Sequence, residues 1–179
     1  MLSAAALSPR GSSPSRLGFT LIEVLIATIL VGFSIAALVA ANGSFSMANV
    51  TGADLSTAEF LVEQIRELTT MLPVVEPNAT TWTVLGPETG ETSPVSYDDV
   101  DDFDDFNSAT LGAPISAQRT TLTDLAAFSQ QVTVQKLNPA DFNQTVPDND
   151  LTSNFARVTV NILHNGRQIS SASWIRARY

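Results

Sequence analysis

Apolar residues fill positions 19–41 almost without a break, and from residue 42 onward they become periodic. The first run is long enough to cross an apolar layer about 30 Å thick as one helix. In the second, Leu55, Ala58, Leu61, Val62, Ile65, Leu68 and Leu72 recur at spacings of three and four. Asp54, Glu59, Glu63, Arg66 and Glu67 fall mostly on the other side. Pro73 stops the pattern. Together they predict a continuous helix over residues 19–72, about 80 Å long at 1.5 Å per residue, with Gly43 and Gly52 as candidate bends. Its stripe suits docking on a sheet of the same chain, and a coiled-coil seam is the alternative. Gly32 and Ser34 read either as tolerated helix residues or as points of close packing with neighbouring helices.

Beyond residue 73 the pattern turns to strands and turns. Residues 80–85 form a strand candidate with Trp82 and Val84 on one face, and 86–96 read as loop. Residues 130–137 alternate through Val132 and Val134, and 138–154 read as a polar loop. Residues 155–164 predict a strand burying Ala156, Val158, Val160 and Ile162. Asn165-Gly166 is a type I′ hairpin signal. A plain two-residue turn pairs His164 with Arg167, Ile162 with Ile169, Ala156 with Ile175, and Arg157 with Trp174 in a cation–π contact. His164 is expected at the surface. A helix followed by an antiparallel sheet packed on its second half gives an α+β fold.

Composition narrows the function classes. There is no cysteine and one histidine, so disulfides, thiolate chemistry and zinc sites fall away. No GxSxG, HExxH or phosphate loop is present, and the expectation is a protein that is not an enzyme. The net charge is −9; without residues 1–18 the chain keeps 7 basic and 18 acidic residues, or −11. So acidic a chain is repelled by phosphate backbones, and nucleic acid is not an expected partner. Arg10 and Arg16 precede the apolar run and the next basic residue is Arg66. The positive-inside rule then keeps the N-terminus cytoplasmic and exports the rest.

Glu23 is the single charge inside the apolar run. A carboxylate there costs about 2.5–3.5 kcal/mol on insertion scales, and neither a secretory signal cut after Val39-Ala40-Ala41 nor a permanent anchor explains it. The sequence Gly18-Phe19-Thr20-Leu21-Ile22-Glu23 resembles the class III signal of type IV pilins and type II secretion pseudopilins, and the likeness covers roughly residues 14–45. It implies that a membrane prepilin peptidase cuts between Gly18 and Phe19 and methylates the new amine of Phe19. It also implies a pilin-like fold, an inner-membrane assembly platform, and other pilins or pseudopilins as partners. Cutting leaves an ammonium on Phe19, one helical turn from Glu23. In a packed bundle Glu23 then pairs with the amine of an adjacent subunit, so the two charges offset each other in lipid.

The run Tyr97-Asp-Asp-Val-Asp-Asp-Phe-Asp-Asp-Phe106 sets Val100, Phe103 and Phe106 at every third position. That spacing suits a 3₁₀-like loop pinned by its apolar residues, with the aspartates facing water. Two or three of Asp98, Asp99, Asp101, Asp102, Asp104 and Asp105 have the chemistry to ligate calcium, Asp98, Asp99, Asp101 and Asp102 foremost. The EF-hand template is not met, and a solvated acidic loop is the alternative reading, with no cofactor. The run also resembles a segment in minor pilins of the mannose-sensitive haemagglutinin system. The chain thus divides into a cleaved leader (1–18), a transmembrane helix (19–41), its amphipathic continuation (42–72) and an exported β domain (73–179) with an acidic loop (97–106). The expected role is a structural, minor subunit of a type IV pilus or pilus-like filament. A type II secretion pseudopilin is the alternative, and a membrane-anchored adhesin comes third. It resides in the inner membrane by a single pass and then in a periplasmic or extracellular filament.

Overall fold

The computed structural model describes residues 18–76, 79 and 81–178. Of the expected leader, only Gly18 falls within this range. One helix, α1 (Leu21–Met71), is followed by four strands, β1 (Phe128–Asn138), β2 (Asp141–Thr145), β3 (Phe155–His164) and β4 (Arg167–Ala177). The strands form one antiparallel sheet in the order β2-β1-β3-β4. This is the α+β arrangement that the periodicity predicts, and it is pilin-like, as the resemblance implies. The chain divides into two units, residues 1–47 and 48–179, and α1 contributes to both.

In the first unit α1 is long and apolar enough to cross a membrane, and its apolar side chains are exposed. Its hydroxyls bond to the helix itself: Thr28 Oγ1 donates to the Leu25 carbonyl and Ser34 Oγ to the Leu30 carbonyl, both at 2.8 Å. A lipid-facing helix needs that self-sufficiency, because hydrocarbon offers no partner. The helix runs through Gly32, Gly43 and Gly52 without interruption.

In the second unit Ala58, Leu61, Val62, Ile65 and Leu68 are buried, as the stripe predicts, whereas Leu55 remains 44% exposed. They share one core with Val132 and Val134 of β1 and Ala156, Val158, Val160 and Ile162 of β3. No basic residue lies in the last turn of α1. Its terminal carbonyls are met instead by Arg176 of β4, which donates to Thr69 O at 2.7 Å and Leu72 O at 2.9 Å. A guanidinium at this end also complements the helix dipole.

Four expectations are corrected. Residues 81–85 form no strand: Trp82 is buried while Val84 is 72% exposed. The Trp82 carbonyl is taken by the Lys136 ammonium rather than by a neighbouring strand. The loop expected over 138–154 contains β2, which pairs with β1 through Leu137↔Thr145 and Asn138↔Asp141. The hairpin turn keeps its type I′ signature, with φ of 50° at Asn165 and 78° at Gly166. Its register holds at His164↔Arg167 and Leu163↔Gln168 and is then lost, because a bulge leaves Ile169 unpaired before Ile162↔Ser170. Arg176, not Ile175, therefore faces Ala156, and Trp174 faces Val158. One extra residue exchanges the two faces of the remaining strand. Ile175 turns outward, and Trp174 packs on the core beneath the Arg66 guanidinium, 5.0 Å from the ring centroid. Arg157 instead donates to the Phe142 carbonyl and so ties β3 to β2. Finally, His164 is only partly exposed, with Nδ1 3.1 Å from Asp54 Oδ2 and its ring stacked on Phe128.

Candidate functional site

Two places in the molecule concentrate chemistry. The first is the start of α1. Thr20 is the residue before the helix and Glu23 the third within it. Glu23 N donates to Thr20 Oγ1 at 3.3 Å, and Thr20 N donates to Glu23 Oε2 at 3.4 Å. This reciprocal pair is a capping box, and it places a carboxylate at the positive end of the helix dipole. Thr20-Leu21-Ile22-Glu23 has the S/T-x-x-E signature of this box in its sequence. Phe19 is 83% exposed. Phe19 and Glu23 line one open groove of about 440 Å³ with Val24, Ala27, Thr28 and Val31. A side chain added at Gly18 would meet nothing within 4 Å among the described residues. No packing among the described residues demands glycine there.

The second place is the acidic loop. Val100, Phe103 and Phe106 are buried, and residues Asp101–Phe103 form a 3₁₀ turn, both as the spacing predicts. Phe103 meets Tyr97 edge-on at 5.0 Å and Phe106 at 5.7 Å between ring centroids. The aspartates do not all face water as expected. Asp98 and Asp105 are exposed, but Asp99, Asp101 and Asp102 are buried. Backbone amides explain part of this inversion. Asp99 Oδ1 accepts from the amides of Asp101 at 2.9 Å and Asp102 at 3.2 Å, and Asp102 Oδ2 accepts from Asp98 at 2.9 Å and Asp99 at 3.2 Å. Asp101 Oδ2 accepts from the Trp82 indole at 3.2 Å. Asp104 Oδ1 accepts from the Val134 amide at 2.7 Å, and Phe106 O accepts from the Val132 amide at 2.9 Å. The loop is thereby stitched along β1.

Burial outweighs these bonds electrostatically. It pushes the Asp99 carboxyl up to about 9, with Asp101 and Asp102 adding to the effect. Asp101 is raised by burial to about 6, although bonds from its neighbours, Trp82 included, pull the other way. Asp102, Glu88 and Glu91 are raised as well, each first by burial. Clustered carboxylates in a low-dielectric setting resist ionising together. Three groups of carboxylates each bring one oxygen per residue to within 4.8 Å: Glu88 with Asp99 and Asp102, Glu91 with Asp98 and Asp102, and Glu76 with Asp98 and Asp99. Glu88 and Glu91 were missed in the sequence because they lie ten residues or so before the aspartates, in a Pro/Gly-rich stretch with no pattern of its own. Asp101 belongs to none of the three groups.

Lys136 is a further residue that the strand pattern concealed. It is 1% exposed, and its ammonium donates to the carbonyls of Trp82, of Asp148 at 2.6 Å and of Asp150 at 2.8 Å. It also lies 4.6 Å from the Trp82 ring centroid. Burial lowers its pKa against the pull of Asp150, Asp148 and Asp101. Its position and partners make it a clamp between β1 and two loops.

Comparison with known proteins gives one finding at the N-terminus. The family model described as the prokaryotic N-terminal methylation motif matches residues 14–39. This motif is the class III signal of type IV pilins, and it covers Gly18, Phe19 and Glu23. No curated protein and no solved structure matches the chain.

Proposed function

We propose that the chain is a structural subunit of a type IV pilus or pilus-like filament, minor rather than major, handled first by a prepilin peptidase and then by an inner-membrane assembly platform. The methylation motif over residues 14–39 carries this reading and supports a pilin- or pseudopilin-like protein. A motif of this kind suggests a building block rather than an enzyme, and the long apolar helix supports membrane anchoring. The peptidase cuts between Gly18 and Phe19 and methylates Phe19. The free space around Gly18 among the described residues supports this assignment, since none of them requires a glycine there. The helix enters the membrane with its N-terminus cytoplasmic, and the β domain is exported. Other pilins then pack along the helix, with Glu23 pairing with the Phe19 amine of a neighbour. The likeness of residues 97–103 to a segment of minor pilins of the mannose-sensitive haemagglutinin system favours a minor over a major subunit.

N-terminal mass spectrometry of the membrane-extracted mature chain tests the reading. The expected first residue is N-methylated Phe19. A chain starting at Asn42, or one still carrying residues 1–18, would overturn it. Deleting the gene and scoring piliation and protein secretion side by side separates pilus from pseudopilus.

A further inference from the structure

Asp99 and Asp102 are fully buried, and each commits one oxygen to two backbone amides. The other oxygen of each, Asp99 Oδ2 and Asp102 Oδ1, is buried with no hydrogen-bond partner. An uncompensated buried carboxylate oxygen is costly. What surrounds these two deepens the problem, since the Asp102 carboxyl lies against those of Glu88 and Glu91, and the Asp99 carboxyl against that of Asp101. Among the described residues no basic side chain forms an ion pair with them. The ion pairs among the described residues are Arg66–Glu63 and His164–Asp54, both elsewhere. Lys136, a buried cation, directs its ammonium at three backbone carbonyls.

We infer that Glu88, Asp99 and Asp102 hold a divalent cation of calcium's class, with Glu91 and Asp98 on its rim. One oxygen from each of the three lies within 4.8 Å of the others. Calcium binds oxygens at about 2.3–2.6 Å, so oxygens spread over such a distance fit around a single ion. The donor set is oxygen only, which suits calcium or magnesium and excludes the softer metals that seek imidazole or thiolate. Calcium suits the place better. It tolerates an irregular shell and mono- or bidentate carboxylates, whereas magnesium demands a near-ideal octahedron and gives up its waters reluctantly. Glu88 and Asp98 are exposed, so an ion has a route in from solvent. Bound there, it joins the turn around residue 88 to the segment that lies along β1.

The test uses the full chain in detergent, stripped with a chelator and titrated with calcium chloride in a calorimeter, with magnesium chloride as the comparison and thermal melting as a second readout. The expectation is about one calcium per chain with a dissociation constant of about 1 mM or tighter, a higher melting temperature, and a weaker response to magnesium. Glu88→Gln removes the charge of an exposed side chain and keeps its length. It should weaken calcium binding about tenfold or more, while the melting temperature of the stripped protein rises because one of the crowded carboxylates loses its charge. Asp102→Asn should weaken binding further, and if it unfolds the loop Glu88→Gln still decides. No heat and no shift at several times 1 mM calcium would overturn the inference, and so would binding that Glu88→Gln leaves intact, which marks an adventitious ion only.

Discussion

In lipid the reciprocal bonds between Thr20 and Glu23 serve two of the amides that open a helix, where no water can. The structure therefore gives Glu23 a duty inside its own chain besides the one proposed between chains, and substitution can tell them apart. Glutamine completes a capping box as well as glutamate does, but it carries no charge. If the ion pair with a neighbouring amine drives assembly, Glu23→Gln and Glu23→Ala both insert and are cut, and both are lost from filaments. If the cap were what matters, Glu23→Gln would assemble normally and only Glu23→Ala would fail. Immunoblots of sheared filaments against membrane fractions give the answer. The residues of this site could be read from the sequence because they are consecutive, so their chemistry depends on no fold. Lys136 is the opposite case: its burial depends on Trp82 and on residues 148–150, which only the folded chain brings to it.

Among the elements, β4 shows what one unpaired residue decides. Without the bulge at Ile169, Ile175 would face the core and Arg176 would point to solvent. With it, Arg176 reaches the carbonyls of Thr69 and Leu72 and supplies the charge that the last turn of α1 lacks. Arg176→Met should therefore cost about 2 kcal/mol, the scale of hydrogen bonds to a charged group. It should appear as a lower denaturant midpoint with an unchanged slope. Part of this was legible. The apolar positions of the strand change parity between Ile169 and Ala172-Trp174, a break in alternation that an unbulged hairpin does not explain. The strands β1 and β3 were legible outright, since Val132, Val134, Val158 and Val160 alternate without a break. β2 was not, because four of its five residues, Phe142 among them, are exposed, so no buried face marks it.

For the whole molecule, every residue of the core cluster lies at Ala58 or later. A chain beginning at Ala48 should accordingly stay in solution without detergent, melt cooperatively, and keep the near-ultraviolet circular dichroism of Trp82 and Trp174. A non-cooperative melt of that chain would show that the first unit is needed for folding. The α+β class was legible because a period of 3.6 gives way to a period of two at a proline and a loop. The acidic site was legible only in part. Composition reveals six aspartates but not their depth, which comes from Val100, Phe103 and Phe106 drawing the backbone inward and carrying Asp99 and Asp102 with it.

That loop has a bearing on solubility. A sheet ends in strands whose free amides invite pairing with another molecule. On the side of β1 away from β3, the amide of Val132 is occupied by Phe106 O and that of Val134 by Asp104 Oδ1. The acidic segment thus seals a stretch of valine-rich border that would otherwise template β-aggregation. Because it does so with residues that repel one another, anything that loosens their grip lays the border bare. If the chain is exported as the building block proposed above, these aspartates help to confine self-association to the helix.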